Sequence, residues 1–269
     1  MKHWLCFVMS LLAISAVAAG GARAAWIEDG MAVAPPPGYI QIYPSIASDG
    51  NGGAIIAWED GRNGGYYDIY AQRLDAYGMP LWTAGGVAVC SDAGYQQRAL
   101  VVSDGAGGAI VAWMDQRSGG THIYAQRLDA DGNALWTANG VPVYTGAYWP
   151  SYINMTSDGH NGAIFAWNDT RTGVDKVYAQ RIGGNGSAVW TANGVAVSSS
   201  TGTQYIPVIA SDGSYGAFVV WSDSRSGNYD IYVNRVKPNG TVVWSQGVQL
   251  CSAINYQGYP DAVSDGLGG

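Results

Sequence analysis

Lysine and glutamate are almost missing, with 3 Lys and 2 Glu in 269 residues. Both are good helix formers, so their scarcity argues against a mainly helical protein. Basic charge is short as well. Thirteen Lys and Arg stand against 20 Asp and Glu, a net charge of −7. A general nucleic-acid binder needs a basic face, and this balance excludes one. Cysteine and histidine number three each, too few and too scattered for a zinc site or a histidine-based triad. No metal and no cofactor is implied. Long apolar runs are confined to the first 24 residues. Glycine, in contrast, is abundant at 39 residues, with 11 Trp and 18 Tyr beside only 3 Phe. With 48% hydrophobic residues the chain has the material for a core and is not a disordered segment.

Residues 1–24 read as a secretory leader. Lys2 and His3 are followed by an apolar run from Trp4 to Ala19. Ala22-Arg23-Ala24 then places small residues at −3 and −1 of a signal-peptidase site. Cleavage after Ala24 is expected, the alternative being an uncleaved anchor. Cys6 would leave with the leader. The mature chain, 25–269, would be a single exported domain, periplasmic, secreted or at the cell surface, with no membrane contact of its own.

The remainder is one repeat. Ser-Asp-Gly recurs at Ser48, Ser103, Ser157, Ser211 and Ser264. After the first four comes a small-apolar run ending in Trp58, Trp113, Trp167 and Trp221. Each is followed by an Asp-x-Arg: Asp60/Arg62, Asp115/Arg117, Asp169/Arg171 and Asp223/Arg225. An Ile/Val-Tyr segment then ends at Arg73, Arg127, Arg181 and Arg235. Beyond a Gly-containing turn stands a second tryptophan (Trp82, Trp136, Trp190, Trp244), with Gly-Val shortly after. In the second repeat this predicts strands over 99–102, 109–114, 122–128 and 135–143, joined by glycine turns that suit tight hairpins. The second strand is apolar on both faces, so the sheet must be covered on both sides. Four-stranded antiparallel units of this length, stacked radially, make a β-propeller. The fold class is therefore all-β, with repeats starting near 44, 99, 153, 207 and 260. A solenoid is the alternative.

The run from Ser48 to Tyr70, and again from Ser211 to Tyr232, resembles the blade repeat of TolB-type propellers. The longer form, with Tyr-Ala-Gln-Arg-Leu-Asp and a downstream Trp, is similar to repeats common in secreted bacterial proteins. The chain lacks the proline of the TolB-type Ser-Pro-Asp-Gly, and its repeats are longer. An intact sialidase-type Asp-box, Ser-x-Asp-x-Gly-x-Thr-Trp, is absent. The resemblance implies a fold and says little of function.

Two features at the ends suggest an incomplete ring. Residues Trp26 to Val33 match Trp136 to Val143 and read as a lone outer strand. Gly268-Gly269 falls inside the first turn of a fifth repeat. Further C-terminal sequence and five to eight blades are the expectation, as is an exposed blade face that invites association.

Residues present in every repeat are read as scaffold. The eight tryptophans fill the space between blades. Each Asp-x-Arg forms a charge-assisted pair, or its Asp pairs with the strand arginine that follows. Asp129 to Asn133 resembles the start of a calcium loop but reads better as a hairpin turn. Cys90 and Cys251 share one repeat position three blades apart, beyond the roughly 7 Å reach of a disulfide, and are expected as buried thiols.

Function should lie in what differs. The connections entering each blade carry Tyr39, Tyr95, Gln97, Tyr148, Trp149, Tyr205 and Tyr256. Aromatic faces with amide side chains suit a glycan, and suit a cell-surface protein equally. The leading expectation is thus a non-enzymatic binding module. The alternatives are a propeller glycoside hydrolase or lyase, sialidase-like, and a plain spacer. A glycosidase needs two carboxylates about 5–9.5 Å apart. Glu59 is the weak catalytic candidate. It replaces Met114, Asn168 and Ser222 of the other repeats. Asp92 and Asp175 are the other acids outside the pattern, and Arg98 is the one mature arginine outside it.

Overall fold

Alternating small and β-branched residues between glycine turns leave each repeat one way to bury itself, as a meander of four strands. The computed structural model describes residues 32–34 and 38–269. Four sheets result, each of four antiparallel strands in chain order. The first holds β1 (Gln41–Ser48), β2 (Ala54–Asp60), β3 (Asp68–Leu74) and β4 (Val87–Cys90). The second holds β5 (Gln96–Ser103), β6 (Ala109–Asp115), β7 (His122–Leu128) and β8 (Val141–Tyr144). In the third are β9 (Ser151–Ser157), β10 (Ala163–Asp169), β11 (Lys176–Ile182) and β12 (Val195–Ala196). The fourth has β13 (Gln204–Ser211), β14 (Ala217–Asp223), β15 (Asp230–Val236) and β16 (Val248–Cys251). These are propeller blades, as the repeat predicts, and the described residues include no helix. The expected leader and most of the expected lone strand at 26–33 lie outside the described residues. Ala32 and Val33 are in no strand.

Two boundaries differ from the sequence reading. The innermost strand of the second blade begins at Gln96, three residues before the expected start, because a bulge lets pairing resume on its far side. The outermost strand is short. Trp136 precedes it in a turn, where its amide is held by Gln126 Oε1 at 2.9 Å. Gly140 follows with φ +86, and a Cβ there would meet Trp113 Cη2 at 2.5 Å. The recurring Gly-Val is thus the point where the outer strand must touch the indole of the second strand.

Successive blades bury one core between each pair. Ile55, Ala57 and Ile69 of the first blade meet Val101, Val111 and Trp113 of the second, and the next two junctions repeat this. The second-strand tryptophans are buried and donate Nε1–H to their own Asp, as in Trp113 to Asp115 at 2.7 Å. In the first three blades that Asp also takes a two-pronged contact from the arginine two residues on. Arg62 and Arg171 reach Asp60 and Asp169 this way, and Arg117 reaches Asp115 at 2.8 and 2.6 Å.

The expected Asp-x-Arg ion pair is present in the fourth blade too, with a different geometry. Arg225 touches the Asp223 carboxylate with its Nη2 side chain nitrogen alone, and its buried Nε has no hydrogen-bond partner. Asp223 Oδ2 also accepts the Trp221 indole at 2.9 Å and Gln204 Nε2 at 3.1 Å. Arg225 Nη1 reaches the Gln246 carbonyl at 2.7 Å, as Arg62, Arg117 and Arg171 reach the Gly85, Asn139 and Asn193 carbonyls. The pair survives as an ion pair but loses the fork geometry that makes the other three strong.

The arginine of the third strand has a different partner. Arg73, Arg127, Arg181 and Arg235 pair with Asp49, Asp104, Asp158 and Asp212 of the Ser-Asp-Gly turns. Burial opposes the charge on Asp49, but the Asn51 and Gly53 amides and Arg73 hold its carboxyl below the usual range.

The second tryptophan links blades directly. Trp82, Trp136 and Trp190 donate to the Ala130, Gly184 and Pro238 carbonyls of the following blade at 2.9, 3.0 and 2.9 Å. The outward faces of the first and fourth blades are open. Ile46 is 68% exposed where Val101, Met155 and Ile209 are buried, and Leu250 is exposed where Val89, Val143 and Val197 are buried. Trp244, expected to fill a gap between blades, is likewise exposed, because no described blade follows it. Cys251 shares this exposure, against the expectation of a buried thiol, for the same reason. Cys90 is buried between blades, which pushes its thiol up to about 12. Asp129 is occupied by its own turn, accepting the Asp131 and Asn133 amides at 2.9 and 2.8 Å.

The meander sorts the connections onto two rims. Ser-Asp-Gly turns and third-to-fourth strand turns lie on one. Asp-x-Arg turns and the connections between blades lie on the other.

Candidate functional site

The four innermost strands converge on a cavity of about 600 Å³. Each carries the same irregularity there. Two residues face a single tryptophan: Tyr43-Pro44 against Trp58, Arg98-Ala99 against Trp113, Tyr152-Ile153 against Trp167, and Ile206-Pro207 against Trp221. The first residue of each bulge is left-handed, with φ of 51°, 57°, 50° and 54°. None is glycine, and for the β-branched Ile206 this conformation is a marked outlier. Bulges re-aim side chains, and strain of this kind gathers where function needs it. All four strained residues line the cavity, together with Glu59 and Gln97.

Glu59 is the carboxylate of this cavity. It stands at the end of β2 opposite Ile42, the register position held by Met114, Asn168 and Ser222 elsewhere. The residue is 3% exposed. Its Oε1 accepts the amide of the strained Arg98 at 2.6 Å. Burial raises its pKa above the usual glutamate value, while the Arg98 amide and guanidinium pull the other way. A carboxyl with a raised pKa, set in a cavity, is suited to donate a proton to a bound molecule.

The other two non-repeating acids diverge. Asp92 pairs with Arg117 Nη1 at 3.0 Å. Asp175 pairs with no Lys or Arg among the described residues. It accepts Asn168 Nδ2 at 2.7 Å. Its hydrogen bond to Tyr205, with burial, pushes that phenol up to about 12.

The expected ligand residues do not form one site. Gln97 is in the cavity. Tyr39 lines a separate pocket of about 290 Å³ with Tyr66 and Tyr67. Tyr95 meets Tyr66 edge-on at 4.4 Å. Tyr148 gives its carbonyl to the Tyr144 hydroxyl at 2.7 Å, and its neighbour Trp149 is 68% exposed. Tyr205 and Tyr256 join through Tyr229. Sequence reasoning passed over Tyr152 and Ile206. One signal was available: each stands five residues before a Ser-Asp-Gly, where the residue type changes from repeat to repeat.

No protein-family model and no curated protein matches the chain. Solved structures do. An α-L-arabinanase of Penicillium chrysogenum, solved with arabinobiose, is 17% identical, with 81% of this chain and 72% of that one covered and a TM-score of 0.50. An endo-arabinase of Bacteroides thetaiotaomicron is 14% identical over 84% and 85%, TM-score 0.42. A TolB protein of Agrobacterium tumefaciens is 18% identical over 76% and 61%, TM-score 0.42, so the chain spans less than two thirds of that protein. At these identities the likeness establishes the propeller fold. It also corrects the leading functional expectation. The arabinanase matched at a TM-score of 0.50 sides with the glycoside hydrolase alternative rather than with a non-enzymatic binding module. Among the described residues no helix is long and apolar enough to cross a membrane.

Proposed function

We propose that this chain belongs to an exported glycoside hydrolase, with its substrate held at the central cavity and Glu59 as proton donor. The observation that carries this reading is Glu59 itself, a buried carboxyl with a raised pKa in the cavity where four strained strands meet. In the reaction Glu59 gives its proton to the glycosidic oxygen. The bond from that oxygen to the anomeric carbon breaks, and its electron pair stays on the oxygen. Water then adds to the anomeric carbon and loses a proton to a second carboxylate. Glu59 is the one carboxylate in the cavity lining, so the second is proposed from outside that lining, where Asp175 is the remaining non-repeating acid because Asp92 pairs with Arg117. The expected leader at residues 1–24 supplies the route out of the cell.

The test is release of reducing ends from a panel of polysaccharides that includes linear arabinan. The parent chain is expected to hydrolyse at least one member. Glu59→Gln is expected to lower that rate by about 10²–10⁴-fold. A variant as active as the parent, or no hydrolysis of any member, overturns the assignment.

A further inference from the structure

Four tyrosines run outward from the cavity across the third and fourth blades. Tyr152 lines the cavity. Its ring lies 6.3 Å from that of Tyr205, Tyr205 lies 6.0 Å from Tyr229, and Tyr229 lies 5.5 Å from Tyr256. The inner and outer members are open to solvent, Tyr152 at 48% and Tyr256 at 54%. All four lie on the rim of the Asp-x-Arg turns.

The fold does not require these aromatics. Tyr152 corresponds to Tyr43, Arg98 and Ile206 in the other repeats, and Tyr205 to Ile42, Gln97 and Ser151. Tyr229 corresponds to Tyr67, Thr121 and Asp175, and Tyr256 to Tyr95, Trp149 and Thr203. Each position takes a polar or aliphatic residue in at least one other blade of the same shape. Blade shape alone therefore does not demand the four rings together.

We infer that this row is a track for a neutral, linear polysaccharide, carrying the chain from the cavity to the outer rim. This rests on the hydrolase reading above and extends it to the length of the substrate. Three observations favour such an occupant. The track is continuous with the cavity that holds Glu59. The rings meet edge-on or tilted, at interplanar angles of 80°, 50° and 68°, so the exposed end members Tyr152 and Tyr256 are the ones that offer their rings to sugars, and polar groups stand beside the row: Asp175 on the Tyr205 hydroxyl, and Asn228, which donates to the Asn255 carbonyl at 2.6 Å. Finally, the chain carries a net −7, which disfavours acidic polymers.

Affinity electrophoresis tests the track on the full chain, with linear arabinan, xylan, mixed-linkage β-glucan and polygalacturonate in the gels. Tyr152→Asn and Tyr256→Ala replace exposed rings. Tyr77→Ala, at the opposite rim, is the control. The parent is expected to be retarded by a neutral linear polymer and not by polygalacturonate. Each track variant is expected to weaken that retention by about 2- to 12-fold, while the control leaves it unchanged. Equal retention of parent and track variants, an equal loss in the control, preferential binding of polygalacturonate, or no retention by any polymer each overturns the track. The two readings fail separately. A parent that binds through the tyrosines without hydrolysing anything removes the role of Glu59 and leaves the track. Hydrolysis with unchanged retention in the tyrosine variants does the reverse.

Discussion

The two rims of the blades are built on opposite principles. At the Ser-Asp-Gly rim the same contacts recur. An aspartate caps its own turn, an arginine closes on that aspartate, and in the first three blades a tryptophan reaches the next blade. At the other rim the Asp-x-Arg pair still recurs, but the residues around it change, and at Arg225 the pair itself loosens. There stand the strained Tyr43, Arg98, Tyr152 and Ile206, the lone Glu59 and the tyrosine row. One rim spends its residues on holding blades together. The other is released from that work, and tolerates conformations that the fold alone would not select. Repetition marks scaffold, and departure from it marks the site.

That contrast is sharpest where a repeated contact is broken. Asp104→Ala leaves Arg127, which is largely buried, without its partner. Breaking such a pair costs about 3–5 kcal/mol, read as a lower urea midpoint. A loss under about 1 kcal/mol would place the ion pair among surface pairs of little consequence. Next in size is a change of opposite sign. Ile206→Asn puts a residue that accepts left-handed backbone where a β-branched one is strained, and a gain of about 1 kcal/mol in stability is expected. A loss would show that Ile206 is held there by packing. Trp136→Phe removes one hydrogen bond between blades and should cost about 1 kcal/mol. At the variable rim, Tyr148→Ala should stay within about 0.5 kcal/mol of the parent in the same assay.

Much of the scaffold was legible in the residues. The tryptophans, the Asp-x-Arg pairs and the glycine turns recur at fixed spacing, so four strands per repeat and a radial stack follow from them. The partner of the third-strand arginine was not. The spacing allowed the Asp of Asp-x-Arg, and only register shows that Asp49 and its counterparts lie beside it instead. Nor did the identical motif reveal that the Arg225 side chain reaches its aspartate through Nη2 alone. Glu59 stood out because it alone places a glutamate in a position held elsewhere by Met, Asn and Ser. Its location in the cavity depends on the bulges, which left no mark in composition. A bulge residue is set by how the strand resumes pairing beyond it, and Tyr, Arg and Ile all occupy the site. The aromatic residues were read as one ligand face for the same reason. Their types suggested binding, but only the ring contacts separate Tyr205 and Tyr256, joined through Tyr229, from the exposed Trp149.

The account stands most directly on the state of Glu59, and the pH dependence of stability reads it. Burial raises the Glu59 pKa in the folded chain above the ordinary glutamate value. Above that ordinary value the unfolded chain releases the proton while the folded chain retains it. Folding stability from this group is therefore full at low pH and falls as pH rises through the raised value. The amide of the Glu59→Gln variant has no proton to lose. Urea unfolding of parent and variant, measured in parallel across that range, should show the variant gaining on the parent as pH rises, then a constant difference. A difference that stays flat with pH, or one that favours the parent as pH rises, contradicts a protonated acid in the cavity.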